Sequence, residues 1–168
     1  MAEHDGLLQP NMDSYFMRMA LKQAELALDA DEVPVGAVVA YQNRLIAKAH
    51  NQMVTLKDPT AHAEMIAITQ ASEALSRGQD KHRGSLEGAT LYVTLEPCSM
   101  CAGALVVTKC TALVFGAHDA KAGACSSLYH ITNDDRLNHR LKVTSGVFEE
   151  ESKSLLQEFF RRLRKERR

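Results

Sequence analysis

The pattern of apolar positions along the chain predicts alternating helices and strands. In residues 14–28, apolar side chains recur every three to four positions, which predicts an amphipathic helix with Asp13 as its N-cap. Residues 33–41 are rich in β-branched side chains and predict a strand, and a turn at 42–44 leads into a return strand over 45–49. The chain is therefore expected to begin with a helix followed by a β-hairpin.

The alternation of helices and strands continues to the C-terminus. Asp58 or Thr60 can cap a second helix that runs from Ala61 to about residue 77, and Pro59 suits its first turn. The remaining predicted elements are a strand over 91–95, a helix over 98–107, a strand over 111–115, an irregular stretch over 117–138, a short strand over 141–143 and a final helix. Buried strands that alternate with helices predict an α/β fold, in which a mixed sheet is covered by helices on both faces.

The length and composition predict one globular domain over 1–168, with a core from about residue 12 and an N-terminal tail over 1–11. With 45% hydrophobic and 24% charged residues, the chain is excluded from the disordered and low-complexity classes. The N-terminus has no apolar run of the kind found in secretion signals, and no segment approaches the roughly 20 apolar residues that span a membrane. We therefore expect a cytoplasmic protein without a membrane partner.

Charge is unevenly distributed, although the net charge of the whole chain is only −1. Residues 153–168 carry a net charge of +5, so the rest of the chain carries −6. A net charge of −1 excludes a protein that holds nucleic acid by bulk charge. The basic segment predicts either an anionic partner or a solvated helix end whose cations complement the helix dipole. The stripe of this helix that is predicted to be buried comprises Leu155, Leu156, Phe159, Phe160 and Leu163.

One combination of residues predicts a catalytic zinc site. Cys98 and Cys101 fall in the first turn of a predicted helix, where a spacing of three residues places both sulfurs on one face. Together with His62, at the start of another helix, they supply three ligands that zinc prefers and leave a fourth position for water. Glu64 lies about 200° around the helix from His62, which suits a carboxylate that moves protons better than a second ligand.

The combined pattern H-x-E…P-C-x-x-C is the signature of zinc nucleobase deaminases, of which tRNA-acting enzymes are standard examples. A C-x-x-C pair alone also occurs in redox proteins and by chance, but a thioredoxin-like site gives no reason for His62 and Glu64. Cys110 and Cys125 have no partner at ligand spacing and are predicted to be small apolar residues.

Longer segments resemble the bacterial tRNA-specific adenosine deaminases. The matching segments are 33–38, Asn51, 59–64, 94–104, 115–117, 119–121, 138–140 and 159–161. The resemblance therefore covers nearly the whole chain beyond the first dozen residues. It implies a cytidine-deaminase-like three-layer α/β/α sandwich with a five-stranded mixed sheet, and a homodimer with the active site near the subunit interface. The activity that it implies is conversion of the wobble adenosine (position 34) of tRNA-Arg(ACG) to inosine.

The resemblance also implies roles for individual residues. His62, Cys98 and Cys101 bind one Zn²⁺ per subunit, and Glu64 is the catalytic proton shuttle. His118 stands where the family often has Arg, which puts one RNA contact in doubt. Asn51 is implied to hydrogen-bond the flipped base of the tRNA anticodon stem-loop, and Val33 and Leu95 are implied to line the pocket for this base. Asp119 and Lys121 are implied to lie along the backbone of the anticodon loop. Phe159 and Phe160 are implied to lie beside the RNA.

Two other functions remain open at this stage. A deaminase of a free nucleobase or nucleoside, such as guanine or cytosine, would use the same zinc site. The basic C-terminus and the loop with Asp119 and Lys121 favour the tRNA enzyme, since a small substrate does not need them. A non-catalytic, zinc-stabilised RNA-binding subunit would not need a proton shuttle, so the presence of Glu64 argues against it.

Overall fold

The computed structural model describes residues 11–168, so the tail expected over 1–11 lies, apart from Asn11, outside the described residues. Within that range the helices and strands follow the predicted order, and the division into one domain stays a prediction. In chain order the elements are α1 (Met12–Asp29), β1 (Gly36–Tyr41), β2 (Arg44–His50), α2 (Ala63–Ser76), β3 (Ala89–Leu95), α3 (Ser99–Val107), β4 (Ala112–Ala117), a 3-10 helix (Ile131–Asn133), β5 (Lys142–Thr144) and α4 (Glu149–Glu166).

The five strands form one mixed sheet in the order β2-β1-β3-β4-β5. Strand β1 runs antiparallel to β2 and β3, whereas β3, β4 and β5 run parallel to one another, with Leu91 of β3 opposite Leu113 of β4. Helices α2 and α3 cover one face of the sheet, and α1 and α4 cover the other. The predicted three-layer α/β/α sandwich with a five-stranded mixed sheet is thus confirmed.

The core lies on both faces of the sheet because β1 is buried on both sides. Ala37 and Val39 face the larger cluster beneath α2 and α3. Val38 and Ala40 face a smaller cluster beneath α1, where they contact Phe16. Successive side chains of a strand point to opposite faces, so a strand in the middle layer must be apolar at every position.

Helix α1 rests directly on the backbone of β1 at Gly36. A Cβ atom at this position would lie 2.0 Å from the carbonyl oxygen of Ala20 and 2.4 Å from the amide nitrogen of Ala24. Only glycine permits such a close approach of helix and strand. The segment that precedes Gly36, which carries Val33 and Val35, is thereby fixed at the end of the sheet where α2 and α3 begin.

Two helix starts differ from the predictions. The N-cap of α1 is Asn11, whose side chain accepts a hydrogen bond from the amide of Asp13, so Asp13 lies inside the first turn. Helix α2 begins at Ala63 rather than Ala61. Asp58 caps no helix, because its carboxylate accepts the amide and hydroxyl hydrogen bonds of Thr60 in the turn before α2.

Two further predictions need correction. Regular strand structure begins at Gly36 rather than at Val33, since the segment before it includes Pro34, which cannot donate a ladder hydrogen bond. Of the α4 stripe predicted to be buried, only Phe159 is buried, whereas Leu155, Leu156 and Leu163 are partly exposed and Phe160 is 46% exposed. No helix within residues 11–168 combines the length and the apolar character that crossing a membrane requires.

Candidate active site

Two helix N-termini meet at the metal-binding residues that the sequence predicts. His62 is the N-cap of α2, Cys98 is the N-cap of α3, and Cys101 lies in the first turn of α3. The Nδ1 atom of His62 is 3.6 Å from the Sγ atom of Cys98 and 3.6 Å from that of Cys101. Tetrahedral N and S ligands of one zinc ion, with bonds of about 2.0 and 2.3 Å, also stand about 3.6 Å apart. The three residues fit zinc, and they are the one such cluster within residues 11–168.

The sulfur of Cys98 is strongly acidic in this arrangement. Hydrogen bonds from the Cys101 thiol and the His62 ring lower the pKa of Cys98 to about 3. The same interaction with Cys98 raises the pKa of His62 above its usual value, although burial opposes the change. The lowered pKa favours the thiolate form of Cys98, which is the form of cysteine that binds metals.

Glu64 lies beside this cluster in the first turn of α2 and is not one of its members. Only 4% of its surface is exposed, and burial raises the pKa of its carboxyl group to about 7. The residue lines the same cavity as His62 and Cys98. A buried carboxyl group that titrates near neutral pH can both accept and release a proton, as general acid–base catalysis requires.

The cavity beside the cluster has a volume of about 180 Å³. Its walls contain four of the residues predicted to bind the substrate, namely Val33, Asn51, Leu95 and Asp119. The sequence did not single out four further lining residues, which are Val35, Met53, Glu96 and Ala122. The structure therefore brings two of the three predicted ligands, the predicted proton shuttle and the predicted base-binding residues together around one small cavity, with the Sγ atom of the third ligand, Cys101, 3.6 Å from Nδ1 of His62.

Asn51 connects the cavity to the start of α2. Its Oδ1 atom accepts a hydrogen bond of 2.8 Å from the amide of Ala63, one of the amides that the first turn of a helix leaves unpaired. With Oδ1 occupied, the amide nitrogen of Asn51 is the group that remains for a ligand, and it forms no hydrogen bond within residues 11–168. Asn51 therefore presents a donor, rather than an acceptor, to the cavity.

The other predicted RNA contacts lie outside this cavity. Lys121 lines a separate surface groove of about 430 Å³ together with Phe160 and Arg164. The ring of Phe159 packs edge-on beneath Phe160 at 5.3 Å and is only 8% exposed. Of the two aromatic rings that the sequence assigned to RNA, only Phe160 is open to a partner.

The cations at the end of α4 differ in how they are paired. Arg161 and Arg162 both bond to Glu158, at 2.6 and 2.8 Å. Within residues 11–168, the later cations form no ion pair, and we call them the C-terminal basic patch: Arg164, Lys165, Arg167 and Arg168. The patch lies at the end of α4, on the same helix as Phe160 and next to the groove that contains Lys121.

Two buried carboxylates beside the cavity were not anticipated. Glu96 follows β3 and accepts hydrogen bonds from the loop after β4, and Glu32 precedes Val33 and accepts hydrogen bonds from the loop after β2. Burial opposes ionisation of Glu96, but these hydrogen bonds outweigh it and lower its pKa to about 2. The sequence signal that could have indicated these buried carboxylates was the position of each acidic residue directly next to an apolar strand segment. Cys110 and Cys125, which the sequence predicts to be small apolar residues, are buried in the core.

A three-layer α/β sandwich with a His/Cys/Cys cluster and an adjacent buried glutamate defines the class of cytidine-deaminase-like deaminases. The model of the MafB19-like deaminase family matches residues 11–164. The chain is 46% identical over 156 residues to the tRNA-specific adenosine deaminase of Bacillus subtilis, with 93% of each chain covered. It is 46% identical over 150 residues to that of Aquifex aeolicus, with 89% and 95% covered. The chain therefore belongs to the tRNA-specific adenosine deaminase family.

Solved structures support the same placement. A structure from work on A-to-I editing by tRNA:A34 deaminases superposes with a TM-score of 0.78 at 43% identity, covering 85% of this chain and 99% of the other. The guanine deaminase of Bacillus subtilis superposes with a TM-score of 0.56 at 33% identity, covering 62% and 63%. The likeness to the tRNA deaminase is therefore closer and extends over more of the chain.

Proposed function

We propose that this protein hydrolyses the wobble adenosine (position 34) of tRNA-Arg(ACG) to inosine and ammonia. The observation that carries the proposal is the match to tRNA-specific adenosine deaminases over 93% of the chain, supported by a cavity that Glu64 and Asn51 line beside the His/Cys/Cys cluster. A cavity of about 180 Å³ is smaller than typical ligand sites and suits a single base. An anticodon-loop base is already largely unstacked, so turning it into the cavity costs at most a few kcal/mol.

His62, Cys98 and Cys101 would hold one zinc ion per subunit, since their ligand atoms have the spacing of a tetrahedral site. When bound, zinc lowers the pKa of a coordinating water and so supplies a nucleophile at neutral pH. The N-termini of α2 and α3 point at the same place, and their positive ends stabilise the negative charge of the two thiolates.

Glu64 would carry the protons of the reaction. Its position in the cavity wall places the carboxyl group beside the metal ligands without making it a ligand. As water adds to C6 of the purine, Glu64 accepts a proton from the water and delivers it to ring N1. Glu64 then transfers the second proton to the amino group, which leaves as ammonia, so one water is consumed for each ammonia released.

The base would be held mainly by Asn51 and the two apolar walls. The free amide of Asn51 donates a hydrogen bond to an acceptor on the purine, while Val33 and Leu95 contact its faces. Lys121, Phe160 and the C-terminal basic patch, whose Arg164 lines the same groove, would bind the anticodon stem-loop. Binding through phosphates on this surface would be sensitive to salt.

A second copy of the chain is the proposed partner at the surface formed by α2 and the loop before it. Val54 and Leu56 in the loop before α2 are 70% and 56% exposed, which is high for apolar residues close to a cavity. A groove of about 340 Å³ next to them is lined by Leu56, Met65 and Ile66. Burial of these apolar side chains in a homodimer would bring the subunit interface close to the active site.

The test uses a synthetic anticodon stem-loop with an ACG anticodon, and reverse transcription reads inosine as an A-to-G change. We expect the change at position 34 of this hairpin and at no other position. The matched control hairpin carries its adenosine one position further along the loop and should stay unmodified. Ammonia release from free adenosine and free guanine is measured in parallel, and turnover of guanine at the rate of the hairpin would instead establish a free-base deaminase.

A further inference from the structure

The loop after β4 is built around a single buried carboxylate. Glu96, which is 2% exposed, accepts a hydrogen bond of 2.9 Å at Oε2 from the amide of Asp119. Its Oε1 atom accepts the amides of Cys125, Ser126 and Ser127 at 3.2, 2.8 and 2.9 Å. One side chain therefore fixes both ends of the segment 119–127.

Gly123 shows how closely this loop surrounds the carboxylate. A Cβ atom at position 123 would lie 2.3 Å from Oε2 of Glu96 and 2.5 Å from the carbonyl oxygen of Asp119. The amide of Gly123 also donates a hydrogen bond of 2.9 Å to that carbonyl. The loop can wrap around Glu96 only because this position has no side chain.

The same loop contributes to both surfaces that the substrate would touch. Asp119 and Ala122 line the cavity, whereas Lys121 lines the groove with Phe160. The Oδ1 atom of Asp119 accepts the amides of Lys121 and Ala122 at 2.9 and 3.2 Å. A continuous set of hydrogen bonds therefore runs from Glu96 through Asp119 to the backbone of Lys121.

We propose that Glu96 is a positioning residue for RNA, which sets the segment 119–122 so that the cavity wall and Lys121 engage the same stem-loop. The inference rests on the proposed function, because it assumes that Lys121 contacts RNA. Glu96 acts through the loop rather than on the substrate, since its carboxylate is occupied by loop hydrogen bonds. Its loss should therefore affect recognition of the hairpin more than the chemical step.

Glu96→Gln affects the hydrogen bonds at the two ends of the loop differently. A glutamine can keep its oxygen toward the amides of 125–127, but its NH₂ group then faces the amide of Asp119, and two donors oppose each other. The matched control is Ser127→Ala, which removes the hydroxyl hydrogen bond to Oε2 of Glu96 and leaves the Asp119 bond in place. We expect Glu96→Gln to raise the KM for the hairpin about tenfold with a smaller change in kcat, and Ser127→Ala to change the KM less than about twofold.

A purely structural role predicts different results. If Glu96→Gln and Ser127→Ala raise the KM in proportion to their loss of melting temperature, the proposal is overturned. Combination with Lys121→Ala gives a second criterion: Glu96→Gln should raise the KM by a smaller factor in that background than in the unsubstituted protein, because one of the two contacts that it positions is already gone. Full additivity of the two substitutions contradicts the inference, whereas absence of inosine with the unsubstituted protein contradicts the proposed function instead.

Hydrogen exchange in the unsubstituted protein tests the inference even if Glu96→Gln does not fold. We expect the amides of Asp119, Ser126 and Ser127 to be protected without RNA and to change little when the hairpin binds. Rapid exchange of these amides without RNA, with protection appearing only on binding, would mean that RNA orders the loop and that Glu96 does not.

Discussion

Asn51 has one contact in the structure and a second role in the proposed function, and two substitutions can distinguish them. Its Oδ1 atom pairs with the amide of Ala63 at the start of α2, and its amide nitrogen is the proposed donor to the base. Asn51→Ala removes both groups. Asn51→Asp keeps an oxygen for the Ala63 amide and removes only the donor.

The size of each effect follows from burial of the pair. Ala63 is fully buried and Asn51 is 6% exposed, so water cannot replace the lost partner in Asn51→Ala. An unpaired buried donor costs about 1–3 kcal/mol, which corresponds to a fall of about 2–12 °C in melting temperature for a domain of this size. In Asn51→Asp an oxygen still accepts the hydrogen bond at a helix N-terminus, where negative charge is favourable, but burial of the new carboxylate opposes this gain, so we expect a smaller fall in melting temperature than for Asn51→Ala.

The assay combines thermal unfolding with kinetics on the ACG hairpin. Both variants should lose at least about tenfold in kcat/KM, because neither can donate a hydrogen bond to the base. Asn51→Ala should lose more stability than Asn51→Asp, because only Asn51→Asp keeps an acceptor for the Ala63 amide. Full activity of Asn51→Asp would show that the amide is not a donor to the substrate, and equal destabilisation of both variants would show that Oδ1 does not stabilise the start of α2.

Three further predictions concern the proton carrier, the RNA surface and the buried acid beside the cavity. Glu64→Ala should abolish deamination and leave about one bound zinc per subunit, whereas loss of the metal would make Glu64 a ligand. Replacement of the C-terminal basic patch by glutamines should weaken hairpin binding and reduce its salt dependence, and unchanged affinity would exclude the patch as a contact. Burial opposes ionisation of Glu32, but hydrogen bonds from Thr55 and Val54 outweigh it and lower the pKa of this carboxyl group below its usual value, so Glu32 stabilises the fold above the unfolded-state pKa and loses this effect as the pH falls through the lowered pKa. In urea unfolding, the stability advantage over Glu32→Gln should therefore be present at pH 7 and shrink on acidification, and a constant difference would contradict the assignment.

The sequence by itself determined the order of the elements and which residues are the candidate metal ligands. Periodicity reports which side of an element is apolar, and the run from Gly36 to Tyr41 is apolar throughout because β1 is covered on both faces. Cys98 and Cys101 lie within one helical turn of each other, so their spacing alone predicts that both sulfurs share a face, without knowledge of the fold.

Only the tertiary structure decided how distant segments complete the site. Asn51 pairs with an amide 12 residues away, and Glu96 holds amides 23 to 31 residues further along the chain. Phe159 and Phe160 are adjacent apolar residues, yet packing of α4 buries the first and exposes the second. Local patterns describe a residue and its neighbours within a turn or a strand, whereas a hydrogen-bond partner or a neighbour across layers exists only once those elements have packed together.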